Sequence, residues 1–354
     1  MDEKARLRRF GYGLAITVLL TASGAPGTAA LVRALRANGE RELRLVGVDM
    51  QALAVGRHLC DGFHVVPAGT DPGFADALIT ICEREGVDAV LPQSSYDLLA
   101  LAEARERFPC AVLVASPDAV RRSNDKAETY ALLDAIGGLG PAWRRARGRG
   151  AVEEAARALG YPGEDVAVKP LESSGSRGFR VLSESADALE QLLTNRPGVA
   201  PAMRLEELLA LLPDTGGPEL LVMELARGKE RTIDGIARNG RIVLGHPKTR
   251  EAMRAGLAMY FETLDDPWLM DVAERIVGEL GLDHFFNIQL VGDRVIEINP
   301  RISTIVYQED FNLPYLGVRH ALGELDDEEL AAYAARARPT RRALRYFDQV
   351  EWDG

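Results

Sequence analysis

Two stretches of period-two alternation, facing each other across a turn, give the clearest pattern in the chain. Phe286-Asn287-Ile288-Gln289-Leu290 alternates, Gly292-Asp293 supplies turn residues, and Val295-Ile296-Glu297-Ile298-Asn299 follows. The spacing predicts a β-hairpin with Asn287 and Gln289 on one face of the first arm, and Glu297 and Asn299 on one face of the second. Phe286, Ile288, Leu290, Val295, Ile296 and Ile298 are expected on the other face. Four oxygen-bearing side chains on one face suit Mg²⁺ held mostly by nucleotide phosphates; they suit equally the solvated side of an ordinary amphipathic ribbon.

Upstream, apolar runs alternate with helical periodicity. Residues 15–20 read as a buried strand, Thr21–Gly27 as a small-residue turn, and Ala29–Asn38 as a helix. Leu43–Asp49, Phe63–Pro67, Val87–Pro92 and Ala111–Ala115 read as further strands, and Phe74–Glu85 as a helix closed by Gly86. Strand, turn and helix in this order predict an α/β domain with a parallel sheet. The turn after the first strand lacks GxGxxG, which argues against a dinucleotide, although Asp49 closes the second strand where a ribose could lie. Gln93-Ser94-Ser95-Tyr96-Asp97 stands at the carboxyl end of a strand, where open sheets bind ligands; Ser94 or Ser95 capping a helix over Tyr96–Arg107 explains it as well.

A boundary is expected near Ser116-Pro117. Ser123–Lys126 then cap a helix to about Ile136, Pro141–Trp143 is a short strand, and the basic, Gly-containing stretch Arg144–Gly150 reads as a loop. Val166–Pro170 is a strand carrying Lys169, and it runs into a Ser/Gly loop with Ser174, Gly175, Ser176 and Gly178. This is neither a P-loop nor a kinase loop. Small residues let backbone N–H groups approach phosphate oxygens, with Lys169 as a point charge, although a plain solvent-exposed hairpin has the same composition. Leu220–Ala226 is an apolar strand interrupted by Glu224. Arg231–Ala237 and Arg241–Gly245 form a hairpin across Asn239-Gly240. Lys248, Arg250 and Arg254 follow as a basic cluster on a loop, either solvated or facing a substrate carboxylate or phosphate. Pro267–Leu280 is an amphipathic helix ended by Gly281.

Composition narrows the class. The 354 residues suffice for two or three domains, and 47% hydrophobic with 27% charged content describes an ordinary globular protein. A net charge of −11 argues against a general nucleic-acid binder, though not against a local basic pocket. Cys60, Cys82 and Cys110 lack CxxC spacing and lie among apolar residues, so free thiols in a reducing cytoplasm are expected. The basic start and the apolar run Leu14–Leu20 have the outline of a secretory signal. That run is also the first strand of the α/β domain, so residues 1–13 are read as a basic overhang. No segment approaches the ~20 apolar residues of a membrane span.

Five motifs in fixed order resemble the ATP-grasp superfamily, its carbamoyl-phosphate-synthase-like and amino-acid-ligase members in particular. They are Lys126 before a helix, Val168-Lys169-Pro170 with the flap, Met223-Glu224 through Gly228-Lys229-Glu230 to Ile233-Asp234, Asn287-Ile288-Gln289, and Glu297-Ile298-Asn299-Pro300-Arg301. The likeness covers residues 15 to about 320. It implies an α/β fold with α+β lobes: a Rossmann-like pre-ATP-grasp domain over 1–116 and an ATP-grasp domain over 117–320. The small lobe would cover about 140–222 and the large lobe the remainder, with 321–354 a terminal helix and tail.

The resemblance also implies roles. Lys126 and Lys169 bracket the nucleotide phosphates, with Ser174, Gly175, Ser176 and Gly178 in the flap. Glu224 lies near the adenine with Leu225 and Ala226 beside it, and Glu230 accepts from the ribose. Gln289, Glu297 and Asn299 are metal-side ligands for Mg²⁺ or Mn²⁺, and Gln289 also faces the nucleotide. Arg301 steadies an acyl phosphate, and Lys248 and Arg250 join it as catalytic candidates. Two departures stand out. Gln289 replaces the glutamate of many relatives, and Ile302–Asp310 replaces the Ser-Arg-Ser-Ser run of carbamoyl phosphate synthesis. The implied function is an ADP-forming carboxylate–amine ligase acting on a small carboxylic acid and an amine, with no nucleic-acid or membrane partner. A bicarbonate-using carboxylase or carbamoyl-phosphate-type enzyme, and a non-catalytic ATP-binding module, are the alternatives. Family analogy alone implies a homodimer.

Overall fold

A computed structural model describes residues 15–171, 178–194, 200–253, 257–303 and 310–353. The first sheet is parallel and ordered β3-β2-β1-β4-β5, from β1 (Ile16–Leu20), β2 (Leu43–Asp49), β3 (Gly62–Val65), β4 (Ala89–Leu91) and β5 (Ala111–Val112). β1, β2 and β4 are almost wholly buried, as expected of parallel strands covered on both faces. Leu19, Val46 and Val90 pack towards the helix Phe74–Glu85, while Ile16, Val18 and Leu20 pack towards the helix Thr28–Arg36. Gly86 closes the helix Phe74–Glu85 at φ +62°, a left-handed position that glycine takes without strain.

The second sheet is ordered β6-β10-β7-β8-β9, from β6 (Trp143–Arg147), β7 (Val166–Pro170), β8 (Arg180–Leu182), β9 (Ala202–Met203) and β10 (Glu219–Glu224). The loop expected over Arg144–Gly150 is corrected here. Residues through Arg147 form an edge strand antiparallel to β10, and a helix begins at Arg149. Ala146 is buried against that helix, while Arg145 reaches Glu219 at 2.7 Å. A basic edge strand is a common protection against unwanted pairing.

The third sheet carries the site. It is antiparallel, β12-β11-β14-β15, from β11 (Glu230–Arg238), β12 (Arg241–Thr249), β14 (His284–Val291) and β15 (Arg294–Asn299). A two-stranded ribbon pairs β13 (Tyr260–Glu262) with β16 (Arg342–Leu344). Strict alternation would place Val295 beside Glu297. A register shift between Gln289 and Leu290 sets Leu290 opposite Val295, leaves Ile296 without a facing residue, and buries Val295.

The first and third sheets share a core. Ile16, Val18 and Leu20 lie in one apolar cluster with Ile236, Leu244, Phe285, Leu313, Leu316 and Val318. The helix Leu313–Ala321 sits close enough to the third sheet that a Cβ on Gly317 would fall 2.1 Å from the Phe285 ring. Arg41 grips Glu324 through two bonds of 2.9 and 2.8 Å, both side chains buried, and Asn312 donates to Ala34 O at 2.6 Å. Cys82 is buried, Cys60 and Cys110 are half-buried, and none is bridged. No helix among the described residues is long and apolar enough to cross a membrane.

Candidate active site

Alternation on four adjacent strands places polar side chains on one face of the third sheet, in register. One row runs Lys248, Thr232, Gln289, Glu297; the next runs His246, Asp234, Asn287, Asn299. Asn287 ties the second row together. Its Nδ2 donates to Asp234 Oδ1 at 2.9 Å and Thr232 Oγ1 at 2.6 Å, and its Oδ1 accepts from Gln289 Nε2 at 2.9 Å and Asn299 Nδ2 at 3.3 Å. Glu230 lies one step further along β11. One of its carboxylate oxygens is buried without a partner, and burial raises its pKa against the opposing pull of Arg250.

The expected loop for Lys248 is also corrected. β12 continues through Pro247 to Thr249, which places Lys248 inside the strand, buried and ion-paired with Asp234. Burial alone would push the Asp234 carboxyl up; Lys248 first, then Ser303 and His246, hold it below the ordinary value. His246 is pushed down to about 3 by burial and by Lys248, so the imidazole is neutral. Arg250 donates its backbone N–H to Glu230 O at 2.9 Å, and its guanidinium to Gln289 Oε1.

Arg301 leaves the end of β15 and bridges two sheets. Its Nε donates to Ser95 Oγ at 3.1 Å, Nη1 to Ile302 O at 2.9 Å, and Nη2 to Asn299 Oδ1 at 3.3 Å. The helix-cap explanation for Ser94 and Ser95 therefore fails. The helix starts at Leu98 with no side-chain cap, Ser94 closes a turn to Tyr96 N, and Ser95 holds Arg301. Asp97 lies buried beside them, accepting from Thr21 Oγ1 at 2.6 Å, with its pKa raised to about 6 chiefly by burial. Asp49 accepts from Gly24 N and Gln51 N, so its carboxylate serves the turn.

Lys169 of β7 and Lys126 at the start of the helix Lys126–Ala135 lie near this sheet. Lys169 Nζ donates to Tyr130 OH at 3.0 Å, and that hydroxyl donates to Ile296 O at 3.0 Å. Burial, then Lys126, lowers Lys169 to about 8, while Glu297 pulls the other way. Lys126 Nζ donates to Leu171 O at 2.7 Å, at the root of the flap. Ser174, Gly175, Ser176 and Arg254 lie outside the described residues. Gly178, at φ +77°, packs where a Cβ would come within 2.7 Å of Pro170. Glu224 ends β10 and accepts from Ala142 N at 3.2 Å; Leu225 and Ala226, half-buried, follow it. Asp234, Thr232, His246 and Tyr130 had no assigned role from sequence. The i, i+2 spacing of Glu230, Thr232 and Asp234, and of His246 and Lys248, is the signal that could have found the first three.

Two family models match. One, for ATP-grasp in the biosynthetic pathway with Ter operon, covers residues 217–342; the other, the PylC-like N-terminal domain, covers 18–114. Residues 217–342 thus match an ATP-grasp family model. The carbamoyl phosphate synthase large chain of Halomonas eurihalina is 24% identical over 252 residues, 67% of this chain and 22% of that one. The chain thus spans about a fifth of the length of the curated relatives it matches. Phosphoribosylglycinamide synthetase from Anaerococcus prevotii superposes with a TM-score of 0.61 at 13% identity, over 93% of this chain and 80% of that one. L-amino acid ligase from Bacillus licheniformis gives 0.59 at 14%, over 93% and 78%. Both structures share the ATP-grasp fold with this chain.

Proposed function

We propose that this ATP-grasp protein is an ADP-forming carboxylate–amine ligase that works through an acyl phosphate. The observation that carries the proposal is convergence: Glu297, Asn299 and Arg301 leave one hairpin, Lys169 from the second sheet and Lys126 from a neighbouring helix approach it, and Ser95 reaches Arg301 from the first sheet. Two features suit a nucleotide. Lys169 and Lys126 repel each other, which favours an incoming polyanion, and the Glu230 oxygen without a partner among the described residues is an acceptor awaiting a hydroxyl. On this reading Glu224, Leu225 and Ala226 border the base, and Gly178 belongs to the flap over the phosphates.

The donor set of one exposed carboxylate and neighbouring amides suits Mg²⁺ or Mn²⁺ bound largely by phosphate oxygens. Glu297 and Asn299 would hold the ion, which supplies charge neutralisation at the transferring phosphoryl group. Arg301 donates to the oxygens where charge grows as the carboxylate attacks and again as the amine displaces phosphate. Its hydrogen-bonded partners are neutral oxygens; burial works against its charge, and the carboxylates of Glu297, Asp234 and Asp97 support it. The Lys248–Asp234 pair holds the row beneath in place.

The test is ADP and phosphate release with ATP and Mg²⁺, against single amino acids and then pairs. Release that needs both a carboxylate and an amine is expected. Release with bicarbonate alone would move the assignment to a carboxylase, and ATP binding without release under any mixture would sink the ligase reading.

A further inference from the structure

The contact between Arg250 and Gln289 bears on how many metal ions the site takes, and the argument rests on the ATP reading above. Gln289 stands directly across from Glu297 and would be the natural second oxygen donor. Both ends of its amide are already committed. Nε2 donates to Asn287 Oδ1 at 2.9 Å, and Oε1 accepts from the Arg250 guanidinium. Arg250 is anchored behind that contact by its backbone bond to Glu230 O. A divalent ion on the same amide oxygen would press against the guanidinium, an arrangement that costs more as water is excluded. Turning the amide over is no remedy, because its –NH₂ would then face the guanidinium, donor against donor.

Glu297 and Asn299 differ. The Glu297 carboxylate is exposed. Among the described residues the Asn299 side chain makes two 3.3 Å bonds, and Arg301 keeps Ser95 and Ile302 O as partners if Asn299 turns its oxygen to an ion. We propose that the site takes a single divalent ion, at Glu297 and Asn299, and that Arg250, fixed by Gln289, stands in the neighbouring place as a permanent positive charge for a nucleotide phosphate. Guanidinium suits this duty because it keeps its charge at all working pH values and donates in a fork that matches phosphate oxygens. Gln289 is then a positioning residue for Arg250 and carries no metal.

Mn²⁺ binding to the full chain with a non-hydrolysable ATP analogue, read by the loss of the free-ion paramagnetic resonance signal, tests this. One Mn²⁺ per bound nucleotide is expected; two would overturn the assignment. Gln289→Ala should leave Mn²⁺ affinity of the nucleotide complex unchanged, whereas Glu297→Gln should weaken it by about tenfold or more. A loss in Gln289→Ala equal to that in Glu297→Gln would make Gln289 a ligand and overturn the proposal. Failure of the wild-type chain to bind the nucleotide at all would remove the ATP reading and this assignment together, an outcome distinct from a two-ion complex.

Discussion

Two lysines, one buried in the third sheet and one half-buried in the second, have opposite fates. Lys248, on the large-lobe sheet, meets Asp234 and has its charge neutralised inside the protein. Lys169, on the small-lobe sheet, meets a phenol at 3.0 Å and a second lysine nearby, and its pKa falls to about 8. The first is an internal strut. The second forms no ion pair among the described residues, while Glu297 favours its charged form, which suits a site for a mobile anion. Burial of a cation is thus uninformative until its partner is known.

The contrast can be broken most forcefully by removing each lysine. Lys248→Met leaves Asp234 buried and unpaired, and should cost about 3–5 kcal/mol of stability in denaturant unfolding. Lys169→Met strands no anion and keeps the volume, and should cost under about 1.5 kcal/mol. Equal losses would show that the two environments are not different in kind. Arg301 belongs with Lys169, since neutral oxygens are its bonded partners. Arg301→Ala should lose on the order of 10²–10³ in turnover with nucleotide affinity largely kept; turnover like that of the wild type would remove it from the chemistry.

The buried acid Asp97 extends the comparison to the first sheet. Its folded pKa, about 6, lies above the ordinary carboxylate value, so the folded state holds the proton more tightly. Its contribution is therefore complete below about pH 4 and is lost as pH rises through about 6, a change of roughly 3 kcal/mol. Asp97→Asn should flatten that part of the stability–pH curve, and an unaltered curve would count against the buried-acid assignment. The smallest effect concerns Lys169. Nucleotide affinity should fall as pH rises through about 8, by up to about tenfold per pH unit, and Lys169→Arg should abolish the fall.

Much of this was legible where the signal is local. Alternation placed Asn287, Gln289, Glu297 and Asn299 on one face, and the parallel strands announced themselves as apolar runs. What escaped depends on distant partners. Pro247 interrupted the pattern after Gly245 and hid the last part of β12; proline is tolerated there because β12 is an edge strand. The basic run at Arg144 looked like a loop because its pairing strand lies some seventy residues away, with Arg147 opposite Glu219. Ser95 read as a cap because nothing near it in sequence announces Arg301.

The core shared by the first and third sheets, pinned by Arg41 and Glu324, has a mechanical consequence. Parting those two units would expose a buried ion pair and a continuous apolar layer. The second sheet has a core cluster of its own around Val152, Val166, Leu205 and Val222. The contact of Ser95 with Arg301 thus spans two sheets joined by one apolar layer, while the sheet carrying Lys169 meets them through Ala167, Leu221 and Met223.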